Sequence, residues 1–335
     1  MRESFVLAIH GRFGYNMSGK GDEIMNLKRK FERGILCFAA MLILLTGCTG
    51  TQNSAGPGSS EELPEGSYLR VDFVDVGQAD FIVVECDGEY MTIDGGNGED
   101  SRIVYSHLKN RGIEKVDTVV ITHPHEDHYG GVATIFDIAE VERVYCPNID
   151  CDTYAFRNLL DAIANEGLEV TKPILGEFFS IGSAMVQVIG PVKTEYDDVN
   201  DTSLVLRLTY GETSFLFTGD AEEISEKDIL ASGFDVSADV LKVGHHGSYS
   251  STSYLWLKTV APKYAVISSS RKDRPEYNHP HEVVVSRLRD ADVSVYRTDL
   301  QGTVTCITFG DEIAFMVERN PDADTLYDAG EGGNH

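Results

Sequence analysis

The sequence predicts an α/β fold in which two β-sheets pack face to face with helices on their outer surfaces. Three observations predict it. Short runs rich in β-branched and aromatic residues alternate with helical patterns from about residue 68 to residue 318. Their order is hairpins followed by strand–helix–strand, and that order occurs twice, which suits two layers of sheet between helices. The chain of 335 residues is 42% hydrophobic and 24% charged, enough for one large α/β domain and unlike a disordered or polytopic membrane chain.

The elements follow in order. Apolar and alternating runs at 68–76, 80–86 and 90–93 read as strands joined as hairpins, and the 3.6-residue apolar period at 101–111 reads as a helix. A strand at 118–122 and helices at 131–139 and 153–165 complete the first strand–helix–strand set. The second set opens on strands 184–189, 203–210 and 213–218. Helix 221–232, strand 239–243, helix 252–260, strand 264–268, helix 281–290 and strand 293–297 continue it, and strands 303–308 and 313–317 close the domain. No short-period repeat and no Gly/Pro break divides 67–319, so it reads as one domain.

Outside that span the chain reads as address and tether. Residues 1–24 show no apolar period and look like an over-extended gene start, because a complete signal begins at Met25. Lys28, Arg29, Lys30 and Arg33 form a basic region, and an apolar stretch of about 12 residues follows, too short for a bilayer core that needs roughly 20. It ends in Leu45-Thr46-Gly47-Cys48, which resembles a bacterial lipobox. The resemblance implies a signal peptide at 25–47, cleavage before Cys48, lipid on its sulfur, and anchoring at the extracellular face of the cell membrane. Residues 48–66 are a Gly/Ser/Pro-rich linker, and 320–335 read as an acidic, disordered tail. Of the remaining cysteines, Cys146 and Cys151 could close a small loop, but buried thiols at Cys86, Cys146, Cys151 and Cys306 are an equal reading.

Charge limits function. With 28 basic against 54 acidic side chains the net charge is −26. The first 48 residues hold seven basic and four acidic side chains, so the rest carries −29. Such a body repels phosphate backbones and excludes a passive basic DNA-binding module. A polyanion could still bind where metal ions supply local positive charge.

The histidines point to that chemistry. Strand 118–122 runs into His123-Pro124-His125-Glu126-Asp127-His128, four potential ligands at a strand end. Alternation sends His123 and His125 one way, while Asp127 and His128 begin the next turn. Imidazoles with a carboxylate suit zinc, manganese or iron. Further on, strand 213–218 delivers Asp220 and strand 239–243 delivers His245 and His246.

These residues, with Asp94, resemble the metallo-β-lactamase fold. More narrowly, Val74-Asp75-Val76-Gly77-Gln78-Ala79-Asp80, Asn200-Asp201-Thr202-Ser203, Lys242-Val243-Gly244-His245-His246-Gly247-Ser248 and Tyr277-Asn278-His279-Pro280-His281 resemble the hydrolase domain of ComEC-type competence proteins. The resemblance implies an αββα sandwich with two divalent ions, zinc or manganese, at the sheet ends. It gives His123 and His125 to one ion, Asp127 and His128 to the other, Asp220 to both, and His246 or His245 to the second. Asp94 would brace the His loop. Asp127 would orient the attacking hydroxide, formed from water whose pKa falls from 15.7 toward about 7. His245, His279, Ser248 and Asn278 would meet the substrate, and the backbone before helix 281–290 would offer N–H groups to an anion.

Two departures stand out. No histidine lies between Tyr129 and Gly219, so the third histidine that many relatives give the first metal is missing; Asn200, Asp201 or water is the candidate replacement. Ala79 stands where the family usually has glycine. The reading is a lipid-anchored metal-dependent phosphodiesterase acting on extracellular DNA. The alternatives are a hydrolase of teichoic-acid, wall or phosphorylcholine phosphodiesters, and a non-catalytic metal- or partner-binding module.

Overall fold

Alternation of buried and outward residues lays down the first hairpins: Leu69, Val71 and Phe73 point one way while Arg70 and Asp72 point the other. The computed structural model describes residues 63–147, 151–270 and 272–327. The proposed signal, Cys48, most of the linker and residues 328–335 lie outside them.

In chain order the first half contains β1 (Leu69–Phe73), β2 (Phe81–Cys86), β3 (Glu89–Asp94), α1 (Ser101–Arg111), β4 (Lys115–Val116) and β5 (Thr118–Val120). It continues with α2 (Glu126–Tyr129), α3 (Ala133–Phe136), β6 (Glu140–Val141), β7 (Val144–Tyr145), α4 (Tyr154–Asn165) and β8 (Val170–Thr171). The second half contains β9 (Phe178–Ile181), β10 (Ala184–Gly190), β11 (Val205–Tyr210), β12 (Thr213–Phe217), α5 (Glu223–Ser232) and β13 (Val240–Lys242). It ends with α6 (Tyr254–Val260), β14 (Tyr264–Ile267), α7 (Glu282–Asp290), β15 (Ser294–Arg297), α8 (Thr298–Gln301), β16 (Val304–Thr308) and β17 (Ile313–Val317).

Among the described residues, one sheet of eight strands runs β17-β16-β1-β2-β3-β5-β7-β8 and a second of seven runs β15-β14-β13-β12-β11-β10-β9. Each is antiparallel on its hairpin side and parallel where helices intervene: β3, β5, β7 and β8 in one, β12 to β15 in the other. Three apolar layers confirm the sandwich. Val71, Phe73, Ile82, Leu206, Phe215 and Phe217 fill the space between the sheets. Phe81 and Val119 pack under α1 and α4, and Leu216 and Leu241 pack under α5, α6 and α7. Both sets of parallel strands point their carboxyl ends at one edge, the place where α/β sheets carry their sites.

The expected helix at 131–139 is instead the single turn α3, set off from the single turn α2 before it. Gly130 and Gly131 lie directly on the loop after β3: a Cβ on Gly131 would stand 2.2 Å from the Gly95 oxygen, and one on Gly130 2.3 Å from the Gly98 nitrogen. Close backbone approach therefore displaces regular helix there. The segment expected to be a free tail from Asn320 is, up to Tyr327, laid on the body. The Thr325 hydroxyl donates to the Val295 carbonyl, and the Tyr327 ring lies 4.9 Å from the Arg289 guanidinium. No helix of the described residues is long and apolar enough to cross a membrane.

Candidate metal centre

Three strand ends build the centre. After β5 the chain passes Thr122 and turns through His123 to His128. After β12, Gly219 at φ +50° swings Asp220 inward. After β13, His245 and His246 both take left-handed backbone, at φ 47° and 53°. That conformation costs a non-glycine residue about 1–2 kcal/mol, and here it turns two imidazoles toward one point.

One donor atom from each of Asp127, His128, Asp220 and His246 lies within 4.8 Å of the others. Asp220 is central: its Oδ2 is 3.2 Å from His128 Nε2, 3.6 Å from His246 Nε2, 3.7 Å from His245 Nε2 and 3.9 Å from His123 Nε2. Asp127 Oδ2 stands 3.3 Å from His246 Nε2. His123 and His125 adjoin this group through a 3.0 Å Nε2···Nδ1 contact with each other.

The outer faces of these rings are already committed. His128 Nδ1 donates to Asp94 Oδ2 at 2.7 Å, and Asp94 also accepts from the Thr122 amide and hydroxyl, both at 2.8 Å. His246 Nδ1 is 3.0 Å from the Ser268 carbonyl, which can only accept, so this nitrogen carries the proton. Both rings therefore turn an Nε2 lone pair inward, as metal-binding imidazoles do. The Nε2 atoms of His128 and His246 and Oδ1 of Asp220 are buried without a hydrogen-bond partner. Such bared atoms are costly unless something binds them, and two imidazoles with two carboxylates suit a divalent ion such as zinc or manganese. The donor set fits a metal.

Charge concentration shows in the titration of these groups. Burial alone would raise the Asp220 carboxyl, but His128, His246 and His245 hold it well below the usual range. Asp127 is lowered likewise by His128 and His246 against burial. Burial opposes charging of His128, yet Asp220, Asp94 and Asp127 together push its pKa well up. His123 is pushed well down by burial and by His128.

Around this group sits a polar ring. Glu222 Oε1 takes His245 Nδ1 at 3.0 Å, the Ser250 hydroxyl at 2.7 Å and the Asn200 amide at 3.3 Å. The Ser248 hydroxyl lies 2.9 Å from that of Ser250. His245 is thus tethered and half-buried, whereas His246 is buried within the four-donor group. His279 stands with its ring 5.6 Å from His245 and 6.3 Å from His246, centroid to centroid. Burial and those two histidines bring its pKa down to about 3. Asn278 is exposed, at φ 52°.

Two expectations need correction. Asp201 does not approach the donor group; its Oδ1 accepts the amides of Glu222 and Ser225 at 3.1 and 3.0 Å and so caps α5. The Asn200 side-chain amide donates to Glu222, while its Oδ1 is buried without a hydrogen-bond partner. The backbone ahead of α7 is also less open to an anion than expected, because the His281 amide donates to the Gly247 carbonyl at 2.9 Å.

Sequence reasoning missed Glu222, whose place in an acidic run before a helix looked like an ordinary helix start. It also gave no role to Lys242 and Asp80. Both are buried, with Lys242 Nζ 2.9 Å from Asp80 Oδ2. A charge inside the apolar strand Val240–Lys242 was the available signal.

Among curated proteins, the chain is 28% identical over 291 residues to ComE operon protein 3 of Bacillus subtilis, covering 81% of this chain and 35% of that protein. It is 28% identical to Competence protein ComA of Neisseria gonorrhoeae, covering 73% of this chain and 33% of that protein. The chain thus spans about a third of the length of these relatives. Among solved structures, a metallo hydrolase from Ignicoccus hospitalis aligns at TM-score 0.49 and 17% identity, over 71% of this chain and 98% of that one. Residues 74–271, more than half of the chain and the whole span of the donor residues from His123 to His246, match the metallo-beta-lactamase superfamily, and the protein belongs to that family.

Proposed function

We propose that the protein is a lipid-anchored, extracellular metal-dependent hydrolase of phosphodiesters, with DNA as the leading substrate. The observation that carries this reading is the four-donor group of Asp127, His128, Asp220 and His246, with its inward atoms bared. His123 and His125 would hold a second ion beside it, sharing Asp220. Divalent ions bound there supply a water of lowered pKa and positive charge against a phosphoryl group. That positive charge is what a body carrying −29 needs to receive a polyanion.

The chain's own residues divide the remaining work. Asp127, with its side chain 29% exposed, is the ligand carboxylate open to solvent and so placed to orient a water. His245, held by Glu222, and His279, its ring 5.6 Å away, stand beside the donor group and would offer N–H groups to a phosphoryl oxygen. The resemblance to ComEC-type competence proteins, with Competence protein ComA among the relatives, is the support for DNA. The strongly acidic body favours a short diester, such as a wall or phosphorylcholine ester, and keeps that reading as the second.

The test is hydrolysis by the metal-loaded protein of bis-p-nitrophenyl phosphate, single- and double-stranded DNA, and phosphorylcholine esters. Cleavage of DNA and of the small diester supports the leading reading. Cleavage of the small diester or phosphorylcholine ester alone moves the assignment to wall polymers. No hydrolysis of any supports the binding-module reading. Location is tested by Cys48→Ala, which should abolish lipid labelling; unchanged labelling refutes the anchor.

A further inference from the structure

Gln78, in the loop between β1 and β2, is buried and bonded at both ends. Its Oε1 lies 3.0 Å from the backbone nitrogen of Ser270, just beyond β14. Its Nε2 lies 2.9 Å from Nδ1 of His279, also buried. Simple donor logic fixes every proton in this chain. A backbone N–H can only donate, so the atom facing Ser270 must be the amide oxygen. The other end is then NH2, which can only donate. Nδ1 of His279 must accept, and a ring nitrogen that accepts carries no proton. The single proton of the neutral ring therefore sits on Nε2.

That ring lies edge-on to His245, at 73°, and nearly parallel to His246, at 25°. A neutral ring beside a cation site avoids the repulsion that an imidazolium would suffer there. It also cannot serve as a proton donor in the ordinary sense, since loss of its only proton would leave an imidazolate.

We propose that Gln78 is a positioning residue that locks His279 as the Nε2-protonated tautomer, making it a neutral hydrogen-bond donor to a phosphoryl oxygen and not a general acid. The part concerning the phosphoryl oxygen rests on the phosphodiester reading above; the tautomer does not.

The experiment is nitrogen-15 NMR of the histidine rings in the full chain, with the His279 signals assigned by their loss in His279→Gln. Wild type should show His279 with Nε2 protonated and Nδ1 bare. In Gln78→Glu the facing carboxylate can only accept, so Nδ1 should become protonated. In Gln78→Leu, the second variant, neither nitrogen is held and the two tautomers should mix. With bis-p-nitrophenyl phosphate, loss of a donor acting on developing charge should lower kcat by about 100-fold in Gln78→Glu, with KM little changed. A wild-type Nδ1-protonated ring, or an unchanged tautomer in both variants, overturns the proposal. The expected tautomers in a protein that hydrolyses no diester support the lock and overturn the phosphodiester reading instead.

Discussion

Substituting Lys242 by methionine tests how the centre is supported from below. The Lys242 ammonium is bonded to the Val243 carbonyl at 2.9 Å and to Asp80 Oδ2 at 2.9 Å, and both side chains are only 1–2% exposed. At that separation two unit charges attract by about 6 kcal/mol for an effective dielectric constant near 20. Much of this is offset by the cost of taking both from water, so the pair by itself adds little. Removing one partner is different, because the other charge stays buried and unpaired, at a cost of about 3–5 kcal/mol. A domain is stable by only about 5–15 kcal/mol, so Lys242→Met should shift the urea midpoint strongly downward. Asp80→Asn combined with Lys242→Met removes both charges and should cost less than the two single changes added together. The Asp80 backbone also holds the site: its amide donates to the Asp127 carbonyl at 3.2 Å and its carbonyl accepts from Gly96 at 2.8 Å. Metal affinity should therefore fall along with stability. A loss under about 1 kcal/mol in Lys242→Met, or strict additivity in the double variant, would refute the reasoning.

Three further outcomes are expected. Burial would raise the Asp72 carboxyl, but Arg70, His107 and Arg111 hold it below the usual carboxylate range; its contribution to stability is present above the unfolded value near pH 4 and is lost as pH falls below it. Urea titrations between pH 5 and pH 2 should then show a shallower acid loss in Asp72→Asn than in wild type. Asp201→Ala should cost about 1–2 kcal/mol by uncapping α5, with metal content unchanged by elemental analysis; lost metal would restore Asp201 to the ligand sphere. Calorimetry on metal-free protein should resolve two unequal binding steps, and His125→Ala should remove only the weaker.

Most of the fold was legible because its strands and longer helices obey simple periods. Strands 80–86, 213–218 and 264–268 each fall within a residue or two of the observed β2, β12 and β14. The two-residue strands β4, β6, β7 and β8 carry no period to read, and the break between α2 and α3 comes from contact with a distant loop. The donor residues were legible because each lies in the loop or turn that follows a strand, and strand ends converge in this architecture. What could not be read was which neighbour each side chain chooses. Asp201, one of the candidates for the missing ligand, is a helix cap; Glu222 looked like a helix start and anchors His245. Choice between His245 and His246 hangs on two left-handed residues and one carbonyl, Ser268 O, brought in from the next strand.

Metal content of the full chain, measured by elemental mass spectrometry after loading with zinc or manganese and extensive dialysis, bears most directly on the centre. Wild type should retain about two divalent ions per chain, and Asp220→Asn, folded by circular dichroism, should lose the bridge and retain less than about one. A folded wild type that retains none, or an Asp220→Asn protein that keeps the full complement, would contradict a metal centre built on Asp127, His128, Asp220 and His246.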